Sequence, residues 1–322
     1  MRCLTATLVL WLCISLAASA QQAGKAPLVG VLLINTAANP EPARSLFRDA
    51  LAALGYVDRR NLRLEFRFAE GQAERFPALA EALVRDRPDV IVGLGDAATR
   101  AAQQATRTIP IVAIADDLVA SGFIQSLARP GGNTTGVSIL ATELDAKKIE
   151  ILREIVPAAR RFGLLRDPAS SNEARLEAIT KVAGRLGLEL QTVDVASPAD
   201  FAAAFARLQT GGAEALDILA SALLANFQRQ LARLSLEHKL PAICQFREMA
   251  EGGCLASYGV KRPEMYAMLA AYTEKMLKGA KPGETVAQQP TAIELVTNQK
   301  TARKLGIEIP PAILARADEV IE

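Results

Sequence analysis

Short, nearly unbroken apolar runs recur along this chain of 322 residues, and most are followed by a stretch of helical periodicity. Strands buried on both faces read as such runs, and strands alternating with helices assemble into parallel sheets. Leu28–Ile34 is the first run. Glu41–Leu54 has helical periodicity and stops at Gly55, a residue suited to a left-handed cap. Leu62–Phe68 alternates as a strand and Phe76–Arg85 is helical. Val90–Gly93 and Ile111–Ala115 are strands flanking helix Ala97–Thr106, and a loop through Pro130-Gly131-Gly132-Asn133 precedes strand Val137–Leu140.

The rhythm then restarts. Helix Glu143–Val156 leads to strand Phe162–Leu165, helix Glu173–Leu186, strand Leu188–Val193 and helix Asp200–Leu208. Strand Leu216–Leu219, helix Asn226–His238, and strands Ala242–Cys244 and Leu255–Tyr258 follow. Phrases repeat between the halves: Pro88-Asp89-Val90-Ile91-Val92 is echoed by Ala215-Leu216-Asp217-Ile218-Leu219. The expected fold is α/β, with two similar parallel-sheet lobes built in succession; one long doubly wound sheet is the alternative. Helix Met265–Leu277, strand Ile293–Val296 and terminal helices Thr297–Leu305 and Pro311–Val320 come late, so the chain should cross between lobes more than once. Several parallel crossings make a hinge. The expected N-terminal lobe is 27–138 plus about 259–288, and the C-terminal lobe is 139–258 plus about 289–322.

The start of the chain reads as a secretory signal, residues 1–20. Met1-Arg2 carries positive charge, Leu4–Leu16 is almost wholly apolar, and Ala18-Ser19-Ala20 offers a cleavage site. The apolar run is shorter than the roughly 20 residues that span a bilayer. Leu12 and Trp11 precede Cys13, which does not fit a lipoprotein site, and no twin-arginine pair is present. The expected location is therefore periplasmic, with the mature chain beginning near Gln21.

Composition removes several function classes. Lys and Arg number 37 against 35 Asp and Glu, a net charge of +2, with no basic stripe to suit nucleic acid. The single histidine, His238, excludes a histidine-based triad and leaves no metal-ligand pattern, so neither metal nor cofactor is expected. Cys3 and Cys13 fall within the signal. Cys244 and Cys254 remain, and an oxidising compartment allows them either to pair or to stay as thiols.

Ligands of open parallel sheets bind beyond the carboxyl ends of the strands. The candidate ligand-binding residues are therefore Asn35, Thr36, Gly95, Asp96, Ala97, Asp116 and Asp117 in the first half. The second half offers Asp167, Ser171, Asn172, Ser221, Gln245, Phe246, Arg247 and Tyr258. Their amides, hydroxyls, carboxylates and guanidinium could hold both ends of a zwitterion such as an amino acid. Bland readings stand beside these: Ser171 and Asn172 as N-caps, Arg247 as a brace, and Tyr258 as core.

Gly93-Leu94-Gly95-Asp96-Ala97-Ala98 matches a dinucleotide fingerprint, with Asp116 and Asp117 about twenty residues on. It follows the third strand rather than the first, and Asp96 would repel a pyrophosphate. An extracytoplasmic compartment also lacks ready nucleotide. No Gly-x-Ser-x-Gly elbow appears, and neither Asp116-Asp117 nor Glu248 with Glu251 sets a carboxylate pair on one strand-end face. Catalysis has no support.

The segments Pro88–Val92, Thr108–Val112, Leu127–Asn133 and Thr135–Ser138 resemble the substrate-binding proteins of ABC transporters, of the tryptophan/tyrosine-binding type. Phe246-Arg247-Glu248, Ser257-Tyr258-Gly259, Leu277–Pro282 and Ile309–Ile321 fit the same pattern. The resemblance implies a periplasmic-binding-protein type I fold, a cleft ligand, no catalysis and delivery to a membrane permease. The protein is expected to be a monomer that captures an amino acid or related carboxylate. A periplasmic α/β enzyme, or a module presenting ligand to a sensor, are the alternatives. The departures fall at strand ends. Asp96 stands where the family often has Thr, Leu118 where it usually has Pro, and Ser221 where an acid is common; Cys244 and Cys254 stand where cysteine is unusual.

Overall fold

The computed structural model describes residues 26–37, 42–171 and 173–322. Residues 1–20, read above as a signal, lie outside the described residues, as does Asn172.

The strands fall into two sheets rather than one. The first holds β1 (Leu28–Leu33), β2 (Arg63–Phe68), β3 (Val90–Leu94), β4 (Ile111–Ala115) and β5 (Thr134–Ser138) in the order β2-β1-β3-β4-β5, all parallel. The second holds β6 (Arg161–Arg166), β7 (Glu189–Asp194), β8 (Ala215–Ile218), β9 (Ala242–Cys244), β10 (Ala256–Val260), β11 (Ile293–Asn298) and β12 (Glu319–Ile321). Its order is β12-β11-β10-β9-β8-β6-β7, with only β10 and β11 antiparallel.

Helices cover both sheets, so the inner strands lose all contact with water and read as continuous apolar runs. Every residue of β1, β3 and β4 is buried. The first lobe carries α1 (Pro42–Ala53), α2 (Phe76–Arg85) and α3 (Asp96–Ala105). The second carries α4 (Ala141–Ile155), α5 (Glu173–Arg185), α6 (Phe201–Thr210), α7 (Ala222–Asn226), α8 (Gln228–Glu237) and α9 (Arg247–Glu251). The long α10 (Arg262–Leu277) returns to the first lobe and packs on α1 and on β3, β4 and β5. Short helices α11 (Gln299–Leu305) and α12 (Pro311–Leu314) finish the second lobe.

Among the described residues, the chain passes between the sheets three times. The first passage follows Ser138, with Leu140 in the left-handed region (φ 56°) before α4. β10 runs to Val260 in the second sheet, so the second passage is at Lys261, slightly later than the apolar pattern suggests. The third follows Gln288, which pairs with Val137 along β5. Close packing at that edge requires Gly136: a Cβ there would lie 2.0 Å from the Ala113 carbonyl oxygen.

Three local expectations need correction. The stretch Asn226–His238 is not one helix: Phe227 breaks it, and α7 begins earlier, where Ser221 Oγ accepts from the Leu224 amide (3.0 Å). A short helix, α9, fills the interval between β9 and β10. Pro311–Val320 forms one helical turn only. Beyond it Asp318 exchanges hydrogen bonds with Leu295, and the β-branched Val320 and Ile321 join the sheet edge beside β11.

Candidate functional site

The carboxyl ends of the two sheets face a common cleft, the position open parallel sheets reserve for ligands. A cavity of about 60 Å³ lies there. The first lobe contributes Leu94 at the end of β3 with Gly95 after it, and Ile114 in β4 with Asp116 just beyond it. The second contributes Ser221 and Ala222 at the start of α7, and Gln245 and Phe246 after β9. The first turn of α10 closes a third side with Arg262, Met265 and Tyr266. The walls are mostly apolar, with a few polar groups at fixed points, which is how small-molecule sites are built.

Of the residues singled out by strand-end position, Gly95, Asp116, Ser221, Gln245 and Phe246 come together on this cavity. Asp96, Ala97 and Asp167 line an adjoining recess. The Asp96 carboxylate serves the protein, accepting from the Asp116 amide (2.9 Å) and Ser121 Oγ (2.6 Å). Burial pushes its pKa up against those two bonds. Burial also raises Asp167, which accepts from the Ala169 amide (3.0 Å) and Ser170 Oγ (3.1 Å). Ser171 lines a shallower groove beside Asp96 and Ser121.

The remaining candidates stand elsewhere. Asn35 and Thr36 follow β1 away from the cavity lining, Asn35 being fully buried. Asp117 accepts from the Val119 and Ala120 amides and shapes its own turn. Arg247 pairs with Glu251 (2.8 Å) and Glu319, tying α9 to the edge strand β12; its role is the brace. Tyr258 sits on β10 against the apolar cores, as a core residue would.

Behind Asp116 lies a buried chain of charges that the sequence reading missed. Arg175 Nη1 is 2.5 Å from Asp116 Oδ2, and its Nε (2.8 Å) and Nη2 (2.5 Å) hold Asp145 Oδ2. Nη2 also donates to the Ala220 carbonyl (3.0 Å). Lys148 Nζ reaches Asp145 Oδ1 (2.9 Å), Asp217 Oδ1 (2.6 Å) and the Ile218 carbonyl (2.7 Å). Lys148, Asp145 and Asp217 are all 0 % exposed. Charges so placed persist only because they are paired and hydrogen-bonded.

Three carboxylates here share two cations, and their pKa values diverge accordingly. Burial drives Asp116 well above the carboxylate range despite Arg175. Burial would raise Asp145 too, but Arg175 and Lys148 outweigh it and hold the group low. Asp217 is pushed by burial up to about 7, with Lys148 opposing.

Arg262 and Tyr266 were also missed, although a signal existed. Pro263 marks a helix start directly after the last residues of a strand, so the strand-end rule would have reached Arg262 had β10 been read to Val260. Lys148 and Asp145 carried no such signal; an i,i+3 pair on a helix reads as solvent-facing.

Cys244 and Cys254 form a disulfide with Cα atoms 6.6 Å apart. It joins the end of β9 to the segment entering β10, so it closes the loop that bears Gln245 and Phe246.

Residues 30–321 match the profile of the ABC transporter substrate-binding proteins. A tyrosine-binding protein of Clostridioides difficile (strain R20291) is 23% identical over 270 residues, 83% of this chain and 77% of that one. A conserved domain protein from Vibrio cholerae is similar in structure, with TM-score 0.83 and 29% identity over 92% of this chain and 100% of its own. A Streptococcus pneumoniae ABC domain in complex with L-Trp gives TM-score 0.82 at 24% identity, over 92% and 100% of the two chains. The two-lobed architecture is that of a periplasmic-binding-protein type I fold.

Proposed function

The chain belongs to the family of ABC transporter substrate-binding proteins, and from that premise we propose that it captures an amino acid with an aromatic side chain in the cleft between its lobes. The observation that carries this reading is the composite cavity, whose walls come from both sheet ends and from α10. A ligand there touches both lobes at once, so its binding favours the closed arrangement. Leu94, Ile114, Ile139, Phe246 and Met265 supply an apolar lining for a ring, while Asp116, Ser221 and Gln245 supply polar contacts. The names of the tyrosine-binding and L-Trp-bound relatives support the aromatic class.

In this reading residues 1–20 direct export, and the protein works outside the cytoplasm as a monomer that delivers its ligand to a membrane permease without chemistry of its own. The lobes divide into 27–138 with about 261–288, and 139–260 with about 289–322, following the passages of the chain. The test is direct. Trp11 is the only tryptophan, so a chain beginning at Gln21 has none, and emission from added L-Trp reports the ligand alone. Titration should shift that emission, and L-Trp or L-Tyr should raise the melting temperature. No thermal shift with any amino acid would overturn the ligand class.

A further inference from the structure

We propose that the cleft ligand carries a carboxylate and that Arg262, assisted by Gln245, receives it. This rests on the solute-capture reading above and assigns the pole of the cleft that recognises negative charge.

Arg262 opens α10, lines the cavity and is only 4 % exposed. Its Nε and Nη1 are buried and donate to no acceptor among the described residues. The nearest carboxylate oxygen, Glu248 Oε2, lies 3.8 Å from Nη1, too far for a hydrogen bond. The guanidinium stands over the Phe246 ring, 5.0 Å from its centroid, which fixes it from one face and leaves its N–H edge for an acceptor. Gln245 Nε2, on the same cavity, is a further buried donor with no acceptor among the described residues. Buried donors are paired in nearly all folded proteins, so three on one small cavity call for an acceptor group.

The chemistry selects a carboxylate. A guanidinium offers a planar fork that matches two carboxylate oxygens and stacks on an aromatic face, which an ammonium cannot do. The amino end of α10, a helix of 16 residues, also favours an anion at its first turn. Asp116, on the wall contributed by β4, offers carboxyl oxygen as an acceptor at the opposite side of the cavity and suits a ligand amine. A bound amino acid is thereby oriented, its carboxylate towards α10 and its amine towards β4.

Dissociation constants for L-tryptophan, L-tyrosine, their decarboxylated amines tryptamine and tyramine, and the amine-free acid indole-3-propionate test this. For the wild type, each amine should bind roughly 100-fold more weakly than its parent amino acid, the loss of a charge-assisted bidentate contact. R262Q should weaken the amino acids by roughly the same factor and erase their advantage over the amines, with R262K between. Melting without ligand separates recognition from folding, and Gln245→Leu gives a smaller loss in the same direction if R262Q does not fold. Amines binding the wild type as tightly as amino acids, or R262Q keeping the wild-type preference, would overturn the carboxylate assignment while amino-acid capture stands. Indole-3-propionate binding through Arg262 while no amino acid binds would leave this assignment standing and remove the amino-acid reading. Failure of every carboxylate probe overturns both.

Discussion

Arg175, on α5 of the second lobe, reaches Asp116 just beyond β4 in the first, Nη1 to Oδ2 2.5 Å, while holding Asp145 within its own lobe. Asp116 also lines the cleft cavity. One carboxylate thus joins the lobes and lines the cleft. Replacing Asp116 with Asn weakens a 2.5 Å ion pair between the lobes, while Arg175 keeps Asp145 and so is not stranded. The expected loss of stability is therefore at the lower end for a disrupted buried pair, about 3 kcal/mol. The ligand-free variant should show a larger radius of gyration by X-ray scattering; profiles that superimpose on the wild type would count against the bridge.

Asp217 supplies a pH signature. Burial lifts its pKa to about 7, against the pull of Lys148 and with the push of Asp145. Between the ordinary carboxylate range and about 7, the folded protein holds a proton that the unfolded chain has released. That contribution to stability is complete below the unfolded pKa and is lost as pH rises through about 7. The melting temperature of the wild type, relative to Asp217→Asn, should fall as pH is raised across this window. A difference that stays constant with pH would refute the assignment.

The Cys244–Cys254 disulfide spans a sequence separation of 10. Closing a loop of that size restricts the unfolded chain by about 3 kcal/mol. The Cys244→Ala, Cys254→Ala double variant should lose about that much in urea unfolding. Because the loop carries Gln245 and Phe246, ligand affinity should drop as well. Unchanged affinity would show that the rest of the lobe positions this wall unaided.

At the junction of the lobes, a Cβ on Gly95 would sit 2.7 Å from Ala222 Cβ, and Gly95 also has φ +100°, a conformation side chains rarely adopt. Gly95→Ala should therefore hold the lobes apart and weaken ligand binding. Adding Ala222→Gly relieves the clash but not the backbone strain, of order 1–3 kcal/mol. Calorimetry of the pair should show partial recovery of affinity; complete recovery would assign the whole effect to the clash.

The fold was largely legible because buried parallel strands such as Leu28–Leu33 and Val90–Leu94 announce themselves as apolar runs. Strand-end position also found Gly95, Asp116, Ser221, Gln245 and Phe246 on the cavity. Sequence position could not distinguish these from Arg247, because the partner that diverts Arg247, Glu319, lies 72 residues away on an edge strand read as helix. Lys148 escaped for a related reason. A lysine on a helix is normally solvated, and only tertiary structure brings Asp217, 69 residues on, to its ammonium. Long-range pairing of charges leaves no local period to read.

The return of α10 to the first lobe sets the order in which this protein can be made. Residues 26–138 supply all five strands of the first sheet, yet the helix covering β3, β4 and β5 arrives only with residues 262–277. Until then, one apolar face of a finished-looking sheet has nothing of its own to lie against. Whether the chain emerges from a ribosome or through a translocation pore, its first lobe is completed after most of its second. A truncation anywhere before Leu277 therefore removes part of the beginning of the molecule as well as its end.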